Sequence, residues 1–451
     1  MPDVSRRGFV AGSAAALSAA LPSETPPARP NIVFILADDL GYGDLGCYGQ
    51  RSFRTPAIDR IAAEGMRFTD FHCGSPVCAP SRCALMTGLH NGHSRIRGNG
   101  TVPLHPEDVT IAEVLKNAGY STGVFGKWGM GEAGSTGVPN RKGFDEWFGF
   151  LNQGRAHNYY PDWVWQNEEQ FFVPKGAYIH DLFTQRALDF VGKQRSQPFF
   201  LYLAYTIPHA NSELVDAGMQ VPSDAPYTDR HWPQQLKNYA AMITRMDADI
   251  GKLMALLKER DLDRNTIVMF SSDNGPHAEG GADPPFFDSN GPLRGIKRDL
   301  YEGGIRVPLA ARWPGHIKPG STNTDPLAFW DLFPTFAEIG GAASPAGLDG
   351  ISLVPALTGH RQPQHEFMYW EFHERGFEQA VRMGKWKAVR HATHYPIELY
   401  DLSTDAGERI GLAARYPEIT ARIAEYLRTA RTPSAEFPIK EPQRTVVQPP
   451  R

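Results

Sequence analysis

At 451 residues the chain allows up to three domains of about 150 residues each, and one large α/β unit with a smaller companion fits equally well. Its 46 Lys and Arg against 50 Asp and Glu leave a formal net charge of −4, which argues against a surface built to coat a polyanion such as nucleic acid, while 41% hydrophobic residues can form a large core. Four cysteines rule out a disulfide scaffold, and 44 glycines with 37 prolines, about 18% of the chain against a usual 12% or so, predict many ordered turns.

In chain order, Ser5-Arg6-Arg7-Gly8-Phe9-Val10 and the Ala-rich run to Leu21 read as a twin-arginine export signal. The run is too short to span a bilayer, Ser18 and Ala20 offer a cleavage site, and a Pro-rich linker follows. Signal and linker are placed at residues 1–28, with the twin-arginine translocation machinery as a partner and a periplasmic or secreted location. No later stretch reads as a transmembrane segment.

Asn31 to Ala37 is a continuous apolar run, the signature of a strand buried on both faces of a parallel sheet, and it stops at Asp38-Asp39. Thr55-Pro56 opens a helix closed by Gly65, and Thr110 with Glu113 makes a capping box for a helix ending near Gly119. Tyr120 to Phe125 is a short strand with Lys127 just beyond it, and Pro198 to Ile207 is another buried strand with His209 past its end. Tyr239 to Leu257 has one apolar helical face, and the strand Thr266 to Phe270 ends in Ser271-Ser272-Asp273-Asn274-Gly275. Apolar strands alternating with capped helices predict an α/β fold, a doubly wound, mostly parallel sheet whose ligands bind beyond the carboxyl ends of the strands. This domain is placed at 29–345. Short strands at Glu366–His373, Gln379–Met383 and Trp386–Val389, then a helix at Tyr416–Arg428, predict a small α+β domain with an antiparallel sheet at 346–431. The Pro-rich residues 432–451 read as a tail or surface-hugging extension.

Asp38, Asp39, Asp273 and Asn274 bring three carboxylates and one amide oxygen from two distant strand ends. Hard oxygen donors suit Ca²⁺, with Mg²⁺ as the alternative, and a divalent ion removes the repulsion between packed carboxylates. Either motif taken alone reads more readily as a solvated turn. Between them, Cys78-Ala79-Pro80-Ser81-Arg82 places a cysteine before a helix start, with a fixed positive charge in the first turn. Physics alone leaves two readings of Cys78: a buried free thiol, or a thiolate nucleophile of lowered pKa.

Cys-x-Pro-Ser-Arg at 78–82, with Asp38-Asp39 before it and Asp273-Asn274 after it, resembles the type I sulfatases of the alkaline phosphatase-like superfamily. The resemblance covers most of residues 29–430 and includes Gly126-Lys127-Trp128, Pro208-His209, Leu293-Arg294-Gly295-x-Lys297, Glu302-Gly303-Gly304-x-Arg306 and Glu398-Leu399-Tyr400-Asp401-Leu402. It implies that Cys78 is modified to formylglycine by a formylglycine-generating enzyme. One hydroxyl of the aldehyde hydrate then attacks sulfur, an alcohol leaves, and loss of a proton from the second hydroxyl expels sulfate and regenerates the aldehyde. By resemblance, Asp38, Asp39, Asp273, Asn274 and residue 78 hold Ca²⁺, and Arg82 steadies the hydrate. Lys127 and Lys297 bind sulfate oxygens, and His209 protonates the leaving oxygen.

One position departs from the family pattern: Gly129 stands where the usual Gly-Lys-Trp-His run has its histidine, the expected acceptor of the hydrate proton. His277, His90 and His93 are the candidate replacements. The aromatic stretch His157-Asn158-Tyr159-Tyr160-Pro161-Asp162-Trp163-x-Trp165, read as a loop insertion, suits a sugar ring or an aryl group, although clustered aromatics also serve as packing. Arg155, His157 and His277 are expected to contact substrate. The expected substrate is a sulfated saccharide, with small aryl sulfates as the alternative. A phosphatase or phosphonate monoesterase of the same superfamily would call for a Ser or Thr nucleophile and two-metal His ligation. A non-catalytic Ca²⁺-dependent carbohydrate-binding protein would keep Cys78 as a thiol. Cys47, Cys73 and Cys83 read as packed thiols, with a Cys73–Cys83 pair left open.

Overall fold

Every residue of the strand Asn31–Asp38 is buried. Alternate side chains feed separate apolar layers, Ile32, Phe34 and Leu36 entering one and Val33, Ile35 and Ala37 the other. A strand covered on both faces has to be apolar on both, which explains the unbroken run in the sequence. The computed structural model describes residues 29–193 and 197–440, so the export signal expected at 1–28 and residues 441–451 of the expected tail lie outside the described residues.

The strands are β1 (Asn31–Asp38), β2 (Met66–Phe68), β3 (Phe71–His72), β4 (Ser121–Lys127), β5 (Glu146–Phe150), β6 (Trp163–Gln166), β7 (Glu169–Phe172), β8 (Phe199–Pro208), β9 (Thr266–Ser272), β10 (Leu309–Arg312), β11 (Ser321–Asn323) and β12 (Leu327–Ala328). Ten of them form one sheet in the order β11-β2-β10-β9-β1-β8-β4-β5-β6-β7. The five central strands β9, β1, β8, β4 and β5 are mutually parallel, and β10 and β6 flank them antiparallel. Helices α1 (Pro56–Ala63), α2 (Cys78–Thr87), α3 (Ile111–Asn117), α4 (Ile179–Lys193) and α5 (Gln234–Glu259) cover both faces. Ala79, Leu85, Ile111 and Leu115 enter the layer of Ile32, whereas Ile58, Phe183 and Leu253 enter the layer of Val33. The fold is therefore the doubly wound α/β sheet expected from the sequence.

A second sheet, β13 (Met368–Phe372), β14 (Glu378–Met383), β15 (Trp386–Arg390) and β16 (Glu398–Asp401), is antiparallel throughout. The helix Pro417–Thr429 packs Ile423 and Leu427 against its Val381 and Leu399. Residues 432–440 of the expected tail lie on this region: Arg97 Nη1 donates to the Thr432 carbonyl at 2.9 Å and the Phe377 amide to the Lys440 carbonyl at 2.9 Å.

Three details differ from expectation. Lys127 is the last residue of its strand rather than one beyond it. The long helix begins at Gln234, right after Pro233, because its buried face already starts at Leu236. Trp163–Gln166 is no loop: it is a strand that forms a hairpin with Glu169–Phe172 and extends the sheet beyond β5. No helix of the described residues is long and apolar enough to cross a membrane.

Candidate active site

β9, β1, β8 and β4 are consecutive in the sheet, so their carboxyl ends lie side by side at the edge where open α/β sheets bind ligands. Strand alternation would point Asp38 and Asp39 in opposite directions. Asp39 instead adopts a left-handed backbone, φ 63°, and ligand atoms of Asp38, Asp39, Cys78 and His209 all fall within 4.8 Å of one another. The Asp39 amide is fixed by Asp273 Oδ1 at 3.1 Å, which joins the end of β1 to the end of β9.

Cys78 opens α2, and its Sγ donates to Asp38 Oδ1 at 3.4 Å. Four residues on, and so on the same helix face, Arg82 donates to Asp273 Oδ2 from Nε at 3.1 Å and Nη2 at 2.8 Å, and to the Lys127 carbonyl from Nη1 at 2.8 Å. Lys127 Nζ donates to Asp38 Oδ2 at 2.7 Å, and Lys297 Nζ to Asp39 Oδ2 at 2.7 Å. Ser81 Oγ ties α2 to the Asp273 carbonyl at 2.5 Å. Three carboxylates and three cations thus share one site, with Lys297, at 5% exposure, the most accessible of the six.

Burial raises every carboxylate here, and the cations decide the balance. Burial is the largest single influence on Asp38 and Asp39, but Lys297 with the charges around it together outweighs it at Asp39, whose carboxyl falls to about 2, and Lys127 with its neighbours does so at Asp38, holding it well below the usual range. Asp273 goes the other way, to about 7, because burial and then Asp38 outweigh Arg82. Burial, then Asp38, drives the Cys78 thiol well above its ordinary value. These surroundings speak against the reading of Cys78 as a thiolate of lowered pKa: the loss of water and then the neighbouring carboxylate act against the helix terminus.

Asn274 Nδ2 donates to Asp39 Oδ1 at 2.7 Å and to the Gly275 carbonyl at 2.9 Å, which fixes the amide. Its buried Oδ1 has no hydrogen-bond partner among the described residues. A fully buried amide oxygen without a donor, beside crowded carboxylates, fits a hard cation. The donor set is all oxygen apart from residue 78, which fits Ca²⁺ or Mg²⁺ rather than zinc.

Three imidazoles line the site. His209 Nδ1 donates to the Ala210 carbonyl at 2.6 Å, and its Nε2 lies 2.8 Å from Lys297 Nζ and 3.2 Å from Asp39 Oδ2. His157 stacks on His209 with centroids 3.6 Å apart, its Nε2 3.4 Å from Lys127 Nζ and its Nδ1 2.9 Å from Ser212 Oγ. Burial first, then a neighbouring cation or imidazole, keeps both rings neutral, with pKa values well below 6.5. His277 lies 5.2 Å from His209, but its Nδ1 accepts the Glu279 amide at 3.0 Å and its Nε2 faces the Pro208 carbonyl at 3.3 Å, so both nitrogens are turned to backbone. His90 and His93 are not brought to the site. They follow the far end of α2 and bind Asp349, the His90 amide at 2.9 Å and His93 Nδ1 at 2.9 Å. Arg155 is likewise outside the cluster, its guanidinium 4.0 Å from the Trp163 ring.

Gln153 is a residue that sequence reasoning missed. A Cβ at Gly129 would lie 1.7 Å from Gln153 Nε2, so the Gln153 amide fills the space that a side chain at 129 would enter. A lone polar residue 24 positions downstream carries no local signal of this. The four cysteines are all free thiols, including Cys73 and Cys83.

Residues 30–342 match the family described as Sulfatase, and residues 296–432 match one described as N-sulphoglucosamine sulphohydrolase, C-terminal. The human N-acetylgalactosamine-6-sulfatase is 32% identical over 456 residues, covering 88% of this chain and 84% of that protein. Human arylsulfatase A is 34% identical over 480 residues, covering 90% and 87%. Among solved structures, Ps i-CgsB in complex with k-i-k-neocarrahexaose superposes with a TM-score of 0.80 at 32% identity, covering 89% of this chain and 92% of that one.

Proposed function

We propose, on the premise that this chain belongs to the sulfatase family and is a sulfuric ester hydrolase, that it removes sulfate from a saccharide and that residue 78 works as formylglycine beside a Ca²⁺ ion. The saccharide rests on relatives named for N-acetylgalactosamine 6-sulfate and on a neighbour bound to a neocarrahexaose. The observation that carries the chemistry is the convergence of Asp38, Asp39, Cys78 and His209 with the unpartnered Asn274 oxygen at one sheet edge.

Asp38, Asp39, Asp273, Asn274 and residue 78 would hold the ion, which would supply fixed positive charge toward the sulfate oxygens. Formylglycine hydrate would supply two hydroxyls on one carbon, one to attack and one to release sulfate. The chain's own groups do the rest. Arg82 clamps Asp273 and the Lys127 carbonyl, holding the floor of the site rigid. Lys127 and Lys297 present ammonium groups, each tethered by one carboxylate oxygen, to the non-bridging oxygens of the ester. Because the neutral His209 ring carries its proton on Nδ1, donated to a backbone carbonyl, its proton-transfer atom is Nε2, which accepts from Lys297 Nζ; a proton taken there from the Lys297 ammonium would be relayed to the leaving oxygen. His157, stacked on His209, excludes water from that imidazole and fixes its plane.

Export by the twin-arginine route to the periplasm or beyond is proposed from Ser5 to Leu21 alone. The test has two arms. Protein made together with a formylglycine-generating enzyme should lose the Cys78 thiol in the mass spectrum of its peptide, and should release sulfate from sulfated saccharides more efficiently than from aryl sulfates. Cys78→Ala should release none; turnover in that variant, or an intact thiol in active enzyme, refutes the reading.

A further inference from the structure

The aromatic stretch singled out in the sequence divides in two. Tyr159 is core: fully buried, with its hydroxyl donating to the Thr206 carbonyl at 2.8 Å. Trp163 and Trp165, two apart on β6 and so on one side of the strand, are only half-buried and wall a cavity of about 280 Å³. The two indoles meet edge to face at 5.4 Å, forming a corner rather than a plane. Phe150 and Arg155 close two further sides, and Asn152 Nδ2 donates to Glu132 Oε1 at 3.0 Å along the remaining rim.

Arg155 is the informative member. Its guanidinium is held 4.0 Å from the Trp163 ring, and no carboxylate pairs with it among the described residues. An arginine stacked on an indole keeps its in-plane N–H donors available for an anion. The loop that carries Asn152 and Arg155 also carries Gln153, wedged under Gly129, and His157, stacked on His209. The cavity therefore adjoins the catalytic centre without sharing its residues: Phe150 pairs with Lys127 in the sheet, and the loop beyond Arg155 leads to His157. Its volume is below the roughly 300 Å³ at which drug-sized sites begin, which suits a single ring.

We propose that this cavity is a second saccharide subsite, taking the ring that adjoins the sulfated one, with that ring's apolar face on the Trp163–Trp165 corner and a sulfate or carboxylate substituent on Arg155. The proposal rests on the saccharide reading above. Aromatic stacking gives affinity, Glu132 and Asn152 offer hydroxyl partners, and the unpaired guanidinium selects an anionic neighbour over a neutral one.

Binding is measured by calorimetry on the full chain carrying Cys78→Ala, with a panel of sulfated hexoses and N-acetylhexosamines and disaccharides of each with a uronic acid. Trp163→Ala and, separately, the exposed and fold-neutral Arg155→Gln are added. Each is expected to weaken the best-bound disaccharide about tenfold more than its monosaccharide, and Arg155→Gln to lose the preference for an anionic second ring. Equal losses for both ligands, or none, overturn the subsite. Because this readout needs no turnover, the two readings fail separately. The binding difference without sulfate release from any saccharide by the matured enzyme faults the hydrolytic reading and supports the subsite.

Discussion

Gly129 holds a left-handed backbone, φ 80°, with the Gln153 amide where its side chain would be. Gly129→His should cost about 1–2 kcal/mol in backbone strain and displace Gln153 as well. Adding Gln153→Ala removes the collision but not the strain, so the double variant should be more stable than the single one, with a coupling of about 0.5 kcal/mol or more in denaturant unfolding. Strict additivity would show that the two side chains do not share the space. Asn274 carries a second prediction. If its unpartnered oxygen binds the ion, Ca²⁺ at a hundredfold excess over its dissociation constant stabilises the native protein by about 2.7 kcal/mol, and Asn274→Ala shrinks the melting shift between Ca²⁺ and chelator. An undiminished shift in Asn274→Ala would remove that residue from the ligand set. Asp38, Asp39, Asp273 and Asn274 were legible in the sequence because each abruptly ends an apolar run. Gln153 was not, since only the fold brings positions 129 and 153 together, and the misplacement of His90 and His93 has the same origin: nearness in sequence to α2 says nothing of which end of the helix they follow.

At the scale of elements, strands β1, β8 and β9 announced themselves because burial on both faces demands an unbroken apolar run. β5 did not. Gly149, opposite Gly126 of β4, interrupts its pattern, and a Cβ there would sit 1.8 Å from the Gly126 carbonyl oxygen, so glycine is required by close strand approach. The β6–β7 hairpin was hidden because a short run rich in tryptophan reads as loop or as strand with equal ease. Thr110 behaved as its capping box predicts, accepting from the Glu113 amide while the Glu113 carboxylate accepts from its own. In the small sheet, His391 follows β15 and bridges Glu378 of β14 at 2.8 Å and Glu398 of β16 at 3.5 Å. Its hydrogen bond to Glu378, then that to Glu398, raise the imidazole to about 9. A histidine whose folded pKa exceeds the unfolded value of about 6.5 stabilises fully below that pH, and the contribution disappears as pH rises to 9. The melting temperature of the natural protein minus that of His391→Gln should therefore be positive and flat below pH 6 and should fall toward zero between pH 6.5 and 9. A difference that grows with pH would contradict the assignment.

At the scale of the whole molecule, the two sheets are joined by buried charge as well as by apolar packing. Trp370 of β13 donates from Nε1 to the Cys73 carbonyl at 2.9 Å and packs against Trp330. Beside it, Lys387 of β15 donates to Glu302 Oε1 at 2.9 Å and to Glu408 Oε1 at 3.2 Å, with all three side chains fully buried. Glu302 also accepts from Arg306 Nε at 2.6 Å and lies 3.0 Å from His72 Nε2, while Arg306 and Arg382 both pair with Asp70. Glu302 belongs to the short turn that receives the loop of Lys297, where the Gly303 amide donates to the Arg294 carbonyl at 2.6 Å. Such a network is weak evidence of net stabilisation, because replacing it wholesale by apolar groups is often neutral, but removing one partner strands the others without water. Lys387→Met is accordingly expected to destabilise by about 3–5 kcal/mol, chiefly through Glu408, which loses the cation that pairs with it while Glu302 keeps Arg306, rather than through the lost contact. The double variant Lys387→Met with Glu408→Gln strands one carboxylate fewer and should recover part of that loss. Guanidinium unfolding of the three proteins decides the matter: a double variant no more stable than Lys387→Met would mean that packing at Lys387, and not charge, holds the small sheet against the loop that carries Lys297.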